Sequence, residues 1–235
     1  MRHAPRISLV CAGLTGILAA GSGAVEKAFS EAIGTLGIVP GTTAYARCMV
    51  QVHRASGQAE FDIFRALFPG NEAQAQAASL AFTRSFAAAI DRGALSPPAG
   101  AQAALDKLVG AGLQVCVISG FSRPLSVQVL RALGWYDRVS LLVSADDAPR
   151  GCPSPDPVLT AMLRLGADAA HEVAVACGTE SVIQSGCRAG AGLVAGLLTG
   201  PHSEARLRNA GAAHLVSGLP ELPEVVISRG AQRAS

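Results

Sequence analysis

The chain has 235 residues and a formal net charge of +2, and it is long enough to bury a full hydrophobic core. Half of its residues are hydrophobic, whereas only 15% are charged and 4% aromatic. Neither the charge nor any basic run interleaved with aromatic residues indicates a nucleic-acid partner, and we expect none. These proportions favour one globular domain, alone or with a small insertion.

The amino-terminal stretch leaves two interpretations open. Arg2 and Arg6 followed by an apolar run over residues 7–20 resemble a secretory signal peptide. Removing that run would delete a strand that the later strand–helix alternation requires. No apolar run reaches the roughly 18 residues of a membrane-spanning helix, so we expect no membrane partner. The six cysteines lack a CxxC spacing, and several fall in predicted strands. We therefore expect reduced thiols and a cytoplasmic location.

The first predicted strand lies within residues 7–18, ISLVCAGLTGIL, where an apolar β-run breaks into a turn of small residues. In open α/β sheets the chemistry lies at the carboxyl ends of the strands. We place Cys11 at that end of the first strand and predict that the candidate site is built around it.

A helical stretch follows. Apolar residues recur at helical spacing from Val25 to Leu36, and further helices are predicted over residues 58–67 and 72–91. Residues 41–56 are only weakly patterned. Since no strand is predicted between these helices, residues 22–96 are expected to form an all-helical insertion.

From residue 101 onward, helices and strands alternate. This alternation is typical of a parallel sheet covered by helices on both faces, and right-handed crossovers bring the strand ends to one edge. The predicted fold class is α/β, with a core of residues 1–21 and 97–235 and a helical cap of residues 22–96. The predicted strands cover residues 113–118, 139–143, 172–176, 193–197 and 213–216, and the preceding helices cover residues 101–111, 124–133, 156–165, 181–188 and 202–209.

Six segments carry a family resemblance, in order: GQAEFDIFRALF (57–68), VISGFSRP (117–124), ALGWYD (132–137), SADDAPRGCPSPD (144–156), VAVACGTES (173–181) and CRAGAGLVAGLLTGPH (187–202). Together they resemble the haloacid dehalogenase superfamily, and within it the phosphonatase-like (phosphonoacetaldehyde hydrolase-like) branch. The resemblance covers nearly the whole chain. It implies a Rossmann-like parallel sheet with an inserted helical cap, although a fold does not by itself fix an activity.

The resemblance also implies where charged catalytic residues belong, and this sequence departs at each such position. The family uses an Asp nucleophile on the first strand and, in its phosphatases, an acid/base two residues later. Residue by residue, these positions hold Cys11 and Gly13. The basic position near the third strand holds Cys152, and the cap lysine of true phosphonatases is replaced by Glu60.

The metal-binding motif departs as well. The family's GDxxxD corresponds to Cys177-Gly178-Thr179-Glu180-Ser181-Val182, so glycine and valine stand where Asp residues bind Mg²⁺. The hydroxyl after the second strand is retained as Ser119, followed by Gly120. We therefore predict a degenerate active site that has lost its Mg²⁺ and needs no cofactor.

Several candidate residues also have a purely structural interpretation. Cys11 is a catalytic thiol or a small apolar filler, and Glu60 is a buried acid/base or a solvated helix residue. Ser119, Thr179 and Arg123 line the pocket or satisfy local structure. The predicted catalytic residues are Cys11, Ser119, Thr179 and Glu60, and the predicted substrate-binding residues are Gly13, Thr15, Gly120, Arg123, Cys152, Cys177 and Gly178.

A soft-metal site is an alternative that rests on the family positions alone. Cys11, Cys152 and Cys177 all fall at positions that converge on one pocket, and Cys48 or a water would complete a zinc site. Chance replacement accounts for the same three cysteines.

Three functions remain open at this point. The first is a repurposed, metal-independent enzyme that converts a small neutral or apolar molecule by cyclisation, isomerisation, elimination or addition, for instance in specialised metabolism. The second is a catalytically inactive protein that binds a partner enzyme, and the third is a conventional phosphonatase-like hydrolase. The expected partners are a small-molecule substrate and either a second copy of the chain or a pathway enzyme.

Overall fold

A computed structural model describes residues 7–18 and 23–231. Its centre is a six-stranded parallel sheet in the order β3-β2-β1-β4-β5-β6. The strands are β1 (Leu9–Gly13), β2 (Gln114–Ile118), β3 (Leu141–Val143), β4 (Val173–Cys177), β5 (Leu193–Leu197) and β6 (His214–Val216).

Helices occupy most of the remaining described chain, and none of them is both long and apolar enough to cross a membrane. They are α1 (Leu14–Leu18), α2 (Ala24–Gly34), α3 (Thr43–Arg54), α4 (Glu60–Leu67), α5 (Glu72–Asp91), α6 (Ala101–Gly110), α7 (Arg123–Ala132), α8 (Asp156–Leu165), α9 (Glu180–Ala189), α10 (Glu204–Asn209) and α11 (Leu222–Ala231).

The predicted α/β fold class with a parallel sheet is confirmed, and two local predictions need correction. The first strand continues to Gly13 and then enters α1, where a turn was predicted. The weakly patterned residues 41–56 contain α3, whose amino terminus is capped by the Thr42 Oγ1, which accepts a bond from the Tyr45 N–H at 3.2 Å. The chain after Val226 continues within α11.

Between α1 and α6 the described residues form the four helices α2–α5 and no strand, and we call α2–α5 with their connecting loops the helical segment. The predicted boundary between residues 21 and 22 lies outside the described residues. The division of the chain into core and cap therefore stays a prediction.

The strand order distinguishes β1 from the other strands of the sheet. β1 is flanked by β2 on one side and β4 on the other, so the direction of strand addition reverses there. Ligands of open α/β sheets bind outside the carboxyl ends of the strands at such a reversal. Gly13, Ser119 and Cys177 lie at or directly after these three strand ends.

A cluster of phenylalanines joins the helical segment to the sheet. The ring of Phe82 on α5 lies 4.4 Å from Phe29 on α2 and 5.8 Å from Phe121 in the loop after β2, measured between centroids. Phe64 and Phe86 complete the cluster, and all five rings are buried. Such rings contribute through buried area and through their offset or edge contacts.

We expect Phe82→Ala to lower the free energy of unfolding by about 3–5 kcal/mol, because it leaves a cavity between four other rings. Denaturant titration measures the change. Leu80→Ala on the same helix is the control, since Leu80 is 52% exposed and its loss should cost no more than about 0.5 kcal/mol. Equal effects of the two substitutions would contradict the packing role of Phe82.

Candidate functional site

The carboxyl edge of the sheet carries small side chains at Gly13, Cys177 and Gly178. Gly13 ends β1, and a Cβ built on it would lie 2.3 Å from the Sγ of Cys177. A Cβ built on Gly178 would lie 2.3 Å from the Cα of Gly200. Larger side chains at either position require their neighbours to move.

The prediction that Cys11 occupies the end of the first strand is wrong, because β1 continues for two more residues. Cys11 lies within the sheet, opposite Cys116 of β2, and is fully buried. A hydrogen bond with Cys116 and burial both raise the pKa of the Cys11 thiol well above its ordinary value. A nucleophilic thiol needs the opposite shift. The edge position is Gly13, and the position two residues later is Thr15.

Cys152 also belongs to the interior. It is buried in the same apolar cluster as Cys11 and Cys177, and burial raises its pKa to about 12. Within residues 7–18 and 23–231, no group of three or more histidine, cysteine or carboxylate side chains is arranged to hold a metal ion. The arrangement of Cys11, Cys152 and Cys177 therefore gives no support to the zinc alternative.

A cavity of about 270 Å³ lies between the helical segment and the loops that follow the strands. Its wall is formed by apolar side chains from several elements together with a few polar groups. The lining residues are Thr15, Gly23, Val25, Glu26, Phe29, Val52, His53, Ser56, Gly57, Gln58, Glu60, Ile63, Phe121 and Pro201.

Glu60, the first residue of α4, is the most perturbed ionisable group in this wall. Its side chain is only 7% exposed, and its Oε1 accepts a hydrogen bond from the Ser79 Oγ at 2.5 Å. Its Oε2 is buried and has no hydrogen-bond partner among the described residues. Burial raises the pKa of Glu60 to about 7, the Ser79 hydrogen bond opposes the rise, and the nearby Asp146 and Asp62 add to it.

The loop before α4 is held against the strand ends by backbone contacts. The Glu60 N–H donates to the carbonyl of Gly120 at 2.8 Å. A Cβ on Gly120 would lie 2.0 Å from the Gln58 carbonyl oxygen, so only glycine permits this approach. Gly57 has a φ of +85°, and a Cβ there would lie 2.4 Å from the Thr179 Oγ1.

The side chains of Ser181 on α9 and His202 in the loop after β5 complete this contact. The Ser181 Oγ donates to the Ser56 carbonyl at 2.8 Å. The buried His202 accepts the Glu180 N–H at Nδ1, at 2.9 Å, and donates from Nε2 to the His53 carbonyl, at 2.8 Å. This bonding requires a neutral ring, and burial lowers the pKa of His202 accordingly.

Two other predicted site residues, Ser119 and Thr179, contact neighbouring groups of the loops and do not line the cavity. The Ser119 Oγ accepts the Phe121 N–H at 3.1 Å and lies 2.8 Å from the Ser126 Oγ. The Thr179 Oγ1 lies 3.2 Å from the Cys177 Sγ.

Arg123 does not reach over the cavity as an anion-binding residue would. It donates to the Asp147 Oδ1 at 2.5 Å. Burial disfavours ionisation of Asp147, but hydrogen bonds from Arg123, Ser144 and Arg164 outweigh it and hold the Asp147 pKa well below its usual range. The guanidinium of Arg123 is thus committed to a structural ion pair.

Of the predicted residues, the cavity brings together Thr15 and Glu60. Gly120 contacts the adjoining loop. The cavity lining does not include Cys11, Cys152, Cys177, Gly13 or Gly178. Sequence analysis missed most of the wall itself, namely Val25, Phe29, Val52, His53, Ile63 and Phe121. Helical periodicity marks several of these positions as apolar, but core and cavity positions share that pattern.

We expect Gly13→Ala to destabilise the protein by about 1–3 kcal/mol, because the added methyl overlaps the Cys177 Sγ. In the Gly13→Ala, Cys177→Ala double variant the loss should be at least about 0.5 kcal/mol smaller than the sum of the single losses. Denaturant titration of the four proteins gives this coupling. Gly34→Ala is the control, since a Cβ there meets nothing within 4 Å; strict additivity would refute the close contact.

We expect Glu60→Gln to stabilise the protein at pH 8 and to have little effect at pH 4. The raised pKa of about 7 means that the folded state holds this proton more tightly than the unfolded state does. Native stability is therefore lost as the pH rises from the unfolded value of 4.5 through 7, by about 3 kcal/mol in all. Unfolding curves at both pH values measure the difference.

Glu31→Gln is the matched control for this experiment. Glu31 also accepts a serine hydrogen bond of 2.5 Å from α5, through Ser85, but its side chain is 51% exposed. It should show no comparable pH-dependent gain. The same gain in both variants would contradict burial as the cause.

Several solved structures share this architecture. A phosphonoacetaldehyde hydrolase-like protein from Oleispira antarctica superposes with a TM-score of 0.84 at 19% identity, covering 100% of this chain and 96% of that one. A hydrolase from Pseudomonas syringae gives 0.79 at 22% identity, with 92% and 96% covered. CbbY from Rhodobacter sphaeroides, solved in complex with phosphate, gives 0.73 at 19% identity, with 92% and 96% covered. At these identities the likeness shows the fold alone.

No curated protein matches the sequence. A family model does match: that of the haloacid dehalogenase-like hydrolases, over residues 8–176, which is most of the chain and runs from β1 into β4. The chain therefore belongs to the haloacid dehalogenase-like hydrolase family.

Proposed function

We propose that this family member binds a small organic molecule in the cavity beside Glu60 and transforms it by metal-independent proton transfer. The observation that carries the proposal is a buried carboxyl group in the cavity wall whose pKa is raised to about 7. A group with a pKa near the working pH is suited to both accepting and donating a proton. Raised carboxyl pKa values of this kind are typical of general acids and bases.

The residues at the carboxyl edge of the sheet support the proposal that this chain does not carry out phosphoryl transfer. Phosphoryl transfer through an aspartyl intermediate needs a carboxylate nucleophile and a cation that neutralises the phosphoryl oxygens. Gly13 and Gly178 supply neither, and their neighbours occupy the space that larger side chains would need. Cys152 replaces the basic position and is itself buried. Removing one member of such a catalytic unit already costs on the order of 10⁴–10⁶ in rate.

The residues of the cavity have distinct roles in the proposed reaction. The apolar wall disfavours the ionised form of Glu60, and it strengthens the interaction of Glu60 with a substrate proton. Ser79 holds one carboxyl oxygen and so orients the other. The Thr15 hydroxyl, also in the wall, positions a polar group of the substrate. Proton abstraction by Glu60 followed by proton return or by loss of a leaving group covers isomerisation and elimination; cyclisation and addition use the same group as the acid.

The comparisons favour a second candidate over this one. The family match and the solved neighbours include hydrolases and a phosphonoacetaldehyde hydrolase-like protein, so hydrolysis of the family type is the alternative. The geometry of the sheet edge favours the first candidate, and the two differ in a measurable requirement for Mg²⁺. A catalytically inactive binding protein, a homodimer, a partner enzyme and a cytoplasmic location remain predictions.

One experiment separates the two candidates. 5-Nitrobenzisoxazole is a compact probe that a buried carboxylate opens in a single step: the base takes the ring C–H proton, the N–O bond breaks, and a coloured cyanophenolate leaves. We expect EDTA-treated protein to accelerate this reaction and the rate to rise with pH through about 7, as Glu60 loses its proton. Glu60→Gln should lose on the order of 10²-fold of the acceleration, whereas Glu31→Gln should retain it.

The opposite pattern would establish the second candidate. Mg²⁺-dependent phosphate release from p-nitrophenyl phosphate or phosphonoacetaldehyde, unaffected by Glu60→Gln, would overturn the proposal. So would ring opening by the Glu60→Gln protein at the unaltered rate.

A further inference from the structure

The described cavity wall holds carboxyl groups but no permanently charged cation. The ionisable residues of the described wall are Glu26, His53 and Glu60, with no lysine or arginine. Glu26 lies 3.5 Å from the His53 Nε2. Two further carboxylates, Asp62 on α4 and Asp146 after β3, raise the pKa of Glu60 through their negative charge. An anionic ligand would meet this field without a cation to receive it.

The Oε2 of Glu60 lacks a hydrogen-bond partner among the described residues. A carboxylate can accept several hydrogen bonds, but within the described chain only the Ser79 Oγ donates to this one. A buried charge without compensating partners is costly. An ammonium group brings both a positive charge and three donors, and would therefore stabilise the ionised form that burial disfavours.

Five apolar side chains of the wall favour a ligand with an apolar body. Val25, Phe29, Val52, Ile63 and Phe121 contribute to it, and aromatic rings such as Phe29 and Phe121 attract cations to their faces. A volume of about 270 Å³ corresponds to roughly nine water molecules. This space accommodates a molecule with one ring and a short chain.

We propose that the cavity is a site for a small apolar amine, bound as its ammonium ion against the carboxylate of Glu60. This inference rests on the proposed function only in assigning the cavity as the ligand site. It narrows the ligand from a small organic molecule to one with an apolar body and a positively charged head group.

Three probes of similar size and different charge test the inference by calorimetric titration of the full chain. They are phenethylamine, which is an ammonium ion at neutral pH, 2-phenylethanol and 3-phenylpropionate. We expect the ammonium ion to bind at least tenfold more tightly than the alcohol, and the carboxylate to bind most weakly. Phenethylamine affinity should increase by tens of fold from pH 5 to pH 7, because Glu60 must release its proton to form the ion pair.

Variants assign the effect to Glu60. Glu60→Gln should weaken phenethylamine binding at least tenfold at pH 7.5 and remove its pH dependence, whereas Glu31→Gln should leave both unchanged. A denaturant titration of each variant verifies that it is folded.

Equal affinity for the alcohol and the ammonium ion, stronger binding of the carboxylate, binding of none of the three, or unchanged ammonium binding by Glu60→Gln would overturn the inference. The ring-opening assay is independent of it. Ring opening that depends on Glu60 without a preference for the amine leaves the proposed function standing. A preference for the amine without ring opening leaves the site standing and removes the proposed chemistry.

Discussion

The close approach between the loop at residues 55–59 and the carboxyl edge of the sheet is the constraint on which the site depends. Gln58 and Gly120 meet there at a distance that no side chain could share. This contact fixes the start of α4 and thereby places the carboxyl group of Glu60 in the cavity wall instead of in water. The raised pKa of Glu60 is thus a consequence of the backbone packing around it, because burial is the largest cause of the shift.

The fold does not depend on charged side chains at the carboxyl edge of the sheet. The sheet is stabilised by apolar strands and the helical segment by buried phenylalanines, and neither requires a charge at the strand ends. Glycine and cysteine at positions 13, 177 and 178 pack against one another and against Gly200. The ionisable residues of the described cavity wall, Glu26, His53 and Glu60, all belong to the helical segment.

The sequence predicts the sheet well because buried parallel strands appear as short apolar runs between amphipathic helices. It misplaces the end of β1 by two residues, since Ala12 and Gly13 carry little β propensity and resemble the start of a turn. It leaves α3 unassigned because few of its residues are buried; Met49 and Val52 are the exceptions. The cavity is beyond reach of a single sequence, because its wall joins α2, α3, α4 and two distant loops, and an apolar cavity position has the same periodicity as a core position. Glu60 is found only through its place in the family motif.

The hydrogen bonds that join residues 53–60 of the helical segment to Gly120, Ser181 and His202 have a property that bears on how this protein can vary. From the side of the helical segment, their partners are main-chain atoms: the carbonyls of His53 and Ser56 and the N–H of Glu60. Main-chain atoms persist whatever side chain a position carries. The wall residues Val52, His53 and Ser56 can therefore be exchanged, and the cavity reshaped for a different ligand, while the bonds that close it are retained. Closure and ligand selectivity are thus separable traits in this architecture, and selection can act on one without disturbing the other.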